Sequence, residues 1–259
     1  MLRKRIIFTL IYSDNYFNQS RNFRLQRVGD LNWLENNYKF SKISHSIDEL
    51  IIVDASRNLK SIKEFSANLN KLVKNVFIPI CAGGGIKSLE DANYLFQNGA
   101  DKIIINSSLY NNPNIVKDII KKYGSQSVVA SIDYKVIDGK TCIFIEDGQK
   151  KIDKDLYEYL MYVQNLGVGE IYLNSIDKDG TGFGYDFQTI NSLLNYLNVP
   201  LIIAGGAGNE SHLLEGIILD KVNAVATANL FNFMGNGLPI AREYLISKNI
   251  NLAKWQEYK

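Results

Sequence analysis

One pattern occurs twice in this chain, at an offset of about 122 residues. Ala82-Gly83-Gly84-Gly85-Ile86 closes one apolar run, and Ala204-Gly205-Gly206-Ala207-Gly208 closes another. Asp48-Glu49-Leu50-Ile51-Ile52 answers Gly169-Glu170-Ile171-Tyr172-Leu173, and the run ending at Ile11 answers the run ending at Asp133. Solenoid units are much shorter, so the period implies two fused half-domains, each with its own strand-to-helix glycine turn. The symmetry breaks at one informative place. The carboxylate of Asp133 has only Ile11 as its counterpart.

Short β-branched runs alternate with amphipathic helical patterns. The expected strands are Arg5–Ile11, Glu49–Asp54, Val76–Ala82, Lys102–Asn106, Ser127–Asp133, Glu170–Asn174, Pro200–Ala204 and Asn223–Ala226. They are nearly continuous apolar segments, as strands covered on both faces are. Helical periodicity fills Leu59–Val73, Ser88–Asn98, Asn114–Tyr123, Asp155–Leu166, Asp186–Leu197 and Glu210–Ile218, with Gly99 and Gly167 placed as C-caps. Repeated βα units in 259 residues predict an α/β fold, a (β/α)8 TIM barrel with a two-fold half-barrel repeat. One domain, 1–259, would divide into half-barrels at about 1–122 and 123–250. A doubly wound open sheet would leave the half-chain repeat unexplained.

Composition narrows the function. A net charge of +2 gives no basic face for nucleic acid, and Lys117, Lys121 and Lys122 fit an ordinary solvated helix face. Cys81 and Cys142 lie far apart in apolar runs, which suits reduced core thiols and a cytoplasmic protein. The start, Met1-Leu2-Arg3-Lys4-Arg5, moves straight into a strand-like run, and no apolar stretch approaches the ~18 residues that a membrane span needs. His45 and His212 are the only histidines, so no metal site is expected, and no other cofactor is called for.

Two connections are long, Tyr12–Asp30 after the first strand and Tyr134–Lys150 after the fifth. The second has the signature of a hairpin around Asp138-Gly139. Both would lie on the C-terminal face, where barrel enzymes build their sites, and the repeat places them across the mouth from each other. Gly84 and Gly85 with Asn106 and Ser107 form one candidate phosphate site. Gly205 and Gly206 with Ala228 and Asn229 form the other, with Gly180 beside it. Bare backbone amides near a helix start suit an anion. The same glycines would also serve a tight turn for steric reasons alone. Asp133 and Asp179 are the candidate catalytic groups, since a carboxylate at a strand end can move protons, and Asp54 ends the second strand. Each could equally brace a loop. At the opposite end Arg5, Glu49, Lys102 and Glu170 each start a strand; taken alone, such charges fit structural salt bridges.

Together these segments resemble the cyclase subunit of imidazole glycerol phosphate synthase, a family of histidine-pathway barrels. The resemblance runs from Met1–Ile7 through Ala82–Ile86, Gly99–Lys102 and Ser175–Thr181 to Gly205–Gly208 and Leu230–Phe233. It implies a separate glutaminase docked at the barrel bottom and a phosphorylated small-molecule substrate at the top. It also implies an ammonia path that enters through a ring of four charged residues. All four ring positions match, as Arg5, Glu49, Lys102 and Glu170. The top matches less fully. The family uses two symmetric catalytic aspartates; Asp133 matches one and Ile11 stands at the other. Its loop lysine aligns with Gln19, and its threonine after the sixth strand with Asn174. An intact ammonia entrance under a rebuilt site resembles the cyclase-like barrels of surface-polysaccharide pathways. There the resemblance implies glutaminase-derived ammonia converting an acetamido nucleotide sugar to an acetamidino sugar, with a further amidotransferase. Two alternatives stay open. One is a genuine histidine-pathway cyclase in which another group, such as Asp14, replaces the missing carboxylate. The other is a non-catalytic partner that only activates a glutaminase.

Overall fold

The computed structural model describes residues 3–38, 40–57, 60–74 and 76–254; Met1, Leu2 and Leu59, used above, lie outside them. Strand β1 (Arg5–Ser13) turns back into β2 (Tyr16–Arg21) and β3 (Arg24–Gly29). Then follow β4 (Glu49–Asp54), β5 (Ile80–Gly83) and β6 (Lys102–Ile105). Strand β7 (Val128–Ile137) turns back into β8 (Lys140–Ile145) and β9 (Lys150–Ile152), and β10 (Glu170–Ser175), β11 (Leu201–Ala204) and β12 (Val222–Thr227) complete the set. Eight of these pair in parallel around a closed ring: β1, β4, β5, β6, β7, β10, β11, β12 and back to β1. This is the expected (β/α)8 barrel.

The repeat persists in three dimensions. Strands β1 and β7 stand four places apart in the ring, and each is followed by two antiparallel strands. Asp14-Asn15 and Asp138-Gly139 make the tight turns, with φ of 50°, 69°, 49° and 73°. Asp, Asn and Gly tolerate these left-handed angles, which match the twist of a two-residue hairpin.

Alternation along each strand sorts the core into two layers. Ile7, Ile51, Cys81, Val129, Tyr172, Ile202 and Ala224 fill the bore. Their neighbours Ile6, Phe8, Leu50, Ile103 and Ile203 face the helices. Helix starts are capped as the sequence directs. Ser61, Ser88, Asp186 and Asn209 accept the amide three residues on, from Glu64, Asp91, Thr189 and His212.

Some boundaries differ from expectation. The third barrel strand begins at Ile80 rather than Val76. The Val76 amide still donates to Val73, Phe77 is exposed, and Pro79 has no amide to offer a ladder. The helix expected over Asp186–Leu197 is Phe187–Leu193 followed by a tighter turn, Leu194–Tyr196. Strands β2 and β3 were not anticipated within Tyr12–Asp30, because their polar residues show no apolar alternation. Helices Leu31–Tyr38, Ser107–Asn111 and Gly237–Ser247 were also not anticipated. Among the described residues, no helix is long and apolar enough to cross a membrane.

Candidate active site

At the N-terminal end of the barrel four charges close an alternating ring. Arg5 contacts Glu49 at 2.5 Å and Glu170 at 3.1 Å; Lys102 contacts Glu49 at 3.0 Å and Glu170 at 3.2 Å. These residues open strands β1, β4, β6 and β10, so their side chains converge on the axis. Glu49 is 1% exposed and both cations share it. Burial works against the charge on Arg5, but Glu170 and Glu49 outweigh it and its pKa is raised. Above the ring the bore is filled by apolar side chains up to the level of the Thr9 and Tyr172 hydroxyls.

At the C-terminal end the strands open into a cleft of about 840 Å³. Gly84, Gly85, Asn106 and Ser107 line it, as do Gly180, Gly205, Gly206, Ala228 and Asn229, with Asp133 and Asp179. The structure thus gathers both glycine turns and both candidate carboxylates into one space, opposite the ring. The two hairpins flank this cleft and meet over it: a Cβ on Gly148 would strike the Phe23 ring. Two of the glycines have a steric reason to be there. Gly84 and Gly206 both adopt φ of +110°, and a Cβ would run into the backbone of Asp54 or Gly184.

Asp133 sits mid-strand in β7 and is 8% exposed. Its carboxylate accepts from Asn174 at 3.1 Å, Asn106 at 3.2 Å and Ser131 at 3.3 Å. Burial pushes its pKa up to about 7; the Asn174 and Ser131 bonds restrain the rise, while Asp147 and Asp179 add to it. A carboxyl poised near neutrality, held by three donors and facing a cleft, can give or take a proton.

Other carboxylates near the cleft make bracing contacts; Asp179 does so while also lining the cleft. Asp179 accepts from the Ser20 hydroxyl and the Phe23 amide, tying the first hairpin to the loop after β10. Burial raises its pKa, and those two bonds pull it back. Asp54 holds the Ser56 amide and hydroxyl at 2.9 and 2.6 Å. Asp14 is exposed in its turn and does not line the cleft, so it does not replace the missing carboxylate. Gln19 accepts the Leu230 amide at 2.8 Å and donates to the Ser20 carbonyl, so it fastens the first hairpin to the loop after β12. Sequence reasoning missed Thr9 and Tyr172, which meet inside the bore. Their signal was a hydroxyl at an inward-facing position, Thr9 between Ile7 and Ile11 on β1 and Tyr172 between Glu170 and Asn174 on β10.

A closed parallel barrel with a two-fold repeat, a mouth lined by glycine turns and a charged ring beneath defines a half-barrel-duplicated enzyme scaffold. The family model described as "Histidine biosynthesis protein" matches residues 34–235. A protein of Parasynechococcus marenigrum (strain WH8102), provisionally named imidazole glycerol phosphate synthase subunit hisF2, is 46% identical over 256 residues, covering 98% of this chain and 95% of that one. Imidazole glycerol phosphate synthase subunit HisF of Chlorobium phaeovibrioides is 35% identical and that of Chlorobaculum tepidum 36%, each over 253 residues, covering 97% of this chain and 99% of theirs. The chain belongs to the histidine-biosynthesis protein family, among the imidazole glycerol phosphate synthase HisF subunits, which are cyclase-type subunits of a glutamine amidotransferase.

Proposed function

We propose that this chain is an ammonia-accepting synthase subunit whose acceptor differs from that of the histidine-pathway cyclases. A glutaminase docks on the ring face and releases ammonia beneath Arg5, Glu49, Lys102 and Glu170. Ammonia rises through the apolar bore to Asp133. The glycine turns with Asn106, Ser107, Gly180, Ala228 and Asn229 hold the phosphate groups of the acceptor, and Asp133 moves the proton. The acceptor of this reading is an acetamido nucleotide sugar, which becomes an acetamidino sugar with the help of a further amidotransferase.

The observation that carries the reading is the contrast between the two ends. The ring is complete, while the mouth holds Ile11 where the second catalytic aspartate is expected. Its mobile loop cation is replaced by Gln19, which is fastened to Leu230. Loss of an acid/base group costs about 10²–10⁴ in rate, so the original cyclisation would suffer strongly. The higher identity to the hisF2 protein, 46% against 35–36% for the HisF subunits, points the same way.

The test is purification with its glutaminase, followed by assays with glutamine and with ammonium salts. Both the histidine-pathway ribonucleotide and acetamido nucleotide sugars are offered. Amidination of a sugar with little cyclisation is the expected result. Robust cyclisation of the ribonucleotide would establish the ordinary histidine-pathway role instead. Stimulation of the glutaminase with turnover of neither acceptor would leave only an activating partner.

A further inference from the structure

The bore between ring and cleft is interrupted. Thr9 projects inward from β1 and Tyr172 from β10, three places apart around the barrel, and their hydroxyls are 3.2 Å apart. Strands that far apart share no edge, so this contact crosses the bore. Both residues are buried. The cleft reaches down to Thr9, Ile104, Tyr172, Ala204 and Ala226 and stops there. Ile7, Cys81, Val129 and Ile202, which fill the bore alongside, do not line it. Burial keeps the Tyr172 phenol protonated, and the nearby carboxylates of Asp133 and Asp179 act in the same direction.

From this geometry we infer that Thr9 and Tyr172 form a gate across the barrel, closed by their hydrogen bond, through which ammonia passes from the ring side to Asp133. The inference rests on the proposed ammonia route. The surrounding wall is apolar, and an unpaired charge is costly to bury there, so the species that crosses is neutral ammonia and not ammonium. The pair suits that traveller. Ammonia accepts one hydrogen bond and donates others, so its nitrogen can accept a hydrogen bond from the Tyr172 hydroxyl while one of its N–H groups donates to the Thr9 hydroxyl oxygen. Each hydroxyl exchanges one partner for another, and no polar group is left bare in transit. Between crossings the Tyr172 ring separates the cleft from the packed lower bore and keeps acceptor and water out of it.

Cys81 makes the gate measurable. It lies inside the bore, whereas Cys142, the other cysteine, is buried on β8 outside it. The experiment treats the intact chain with methyl methanethiosulfonate and maps modification at both thiols by mass spectrometry. Thr9→Val keeps the shape and removes the hydrogen bond; Tyr172→Ala removes the ring. Both should speed Cys81 labelling, by about tenfold for Thr9→Val and more for Tyr172→Ala, the factor that a bond worth about 1.4 kcal/mol holds closed. Labelling of Cys142 should stay at the wild-type rate. Equal acceleration at both thiols would mean general loosening, and Cys81 labelling unchanged in both variants would mean no closure at Tyr172; either overturns the gate. In the glutaminase complex, Ala224→Leu then blocks the bore on the ring side. Selective Cys81 exposure together with a severalfold loss of glutamine-dependent but not ammonium-dependent synthesis supports both gate and route. Selective exposure with no such loss leaves a closed bore that ammonia does not use, which overturns the route and with it the gating role.

Discussion

The two half-barrels present the same backbone and opposite chemistry at their mouths. At the head of the second half, Asp133 is ringed by Ser131 and Asn174 of its own half and by Asn106 at the end of the first. Shifted by the repeat offset of about 122 residues, the equivalent places are Ile11, surrounded by Ala228, Thr9 and Val53. Where the carboxylate is absent, both amide donors are absent too. A charge at a buried position needs partners, and where the charge is absent, unused donors would themselves be costly. The immediate surroundings of Ile11 are correspondingly apolar, with Ala228 and Val53 beside it. The one surviving hydroxyl there, on Thr9, has found Tyr172 instead.

The largest expected effect comes from breaking the second half. Asp133→Asn is nearly isosteric and should lower synthase turnover by about 10²–10⁴ while leaving the circular dichroism spectrum unchanged. Wild-type turnover would reassign Asp133 to bracing. Its pKa near 7 lies above the ordinary 3.8, so ionisation costs the folded state stability. The stability present at low pH is lost as pH rises from about 4 to 7. Asp133→Asn should therefore raise the unfolding free energy most above pH 7, by on the order of 2–4 kcal/mol, with the difference fading toward pH 4. The same titration makes a base-dependent rate climb through neutral pH.

Next come the positions where the halves remain alike. Gly84→Ala and Gly206→Ala each force a side chain into a neighbouring backbone at φ of +110°. Each should cost about 2 kcal/mol or more by urea unfolding. Equal losses would show that the turns are structurally equivalent, whatever ligand they hold. A much smaller loss at one would mark that turn as able to relax.

A smaller effect sharpens the difference itself. Ile11→Asp alone should destabilise by about 1–3 kcal/mol at pH 8 and recover toward acid pH, because no donors await the carboxylate. Adding Val53→Asn, the counterpart of Asn174, should return part of that loss. If the single variant is as stable as the parent, the site is wetter than its residues imply.

The smallest effect concerns the first hairpin. Gln19→Ala removes the acceptor of the Leu230 amide and should cost about 1 kcal/mol. Hydrogen exchange at Leu230 should quicken by a corresponding factor of several. Unchanged exchange would show that the Ser20 and Phe23 bonds to Asp179 suffice to hold the hairpin down.

The sequence by itself determined the barrel, the placement of its glycine turns and the charged ring. Strand alternation sends Arg5, Ile7, Thr9 and Ile11 to one face, and a repeated βα order leaves few ways to close a sheet. The two glycine turns directly follow β5 and β11, so their end of the barrel follows from chain direction. Which candidate carboxylate is poised was not legible locally. Read from the sequence, Asp133, Asp179 and Asp54 all fall at or just beyond expected strand ends; only the tertiary structure puts Asp133 inside β7, which runs on to Ile137, and shows that Asp179 ties down the first hairpin while Asp54 holds Ser56. The Thr9–Tyr172 contact joins residues 163 positions apart in the chain. Neither residue carries a motif. Strand spacing can say that a side chain faces inward, but what it meets there depends on the curvature that closes the ring. Partners across the bore are therefore settled only once all eight strands are in place.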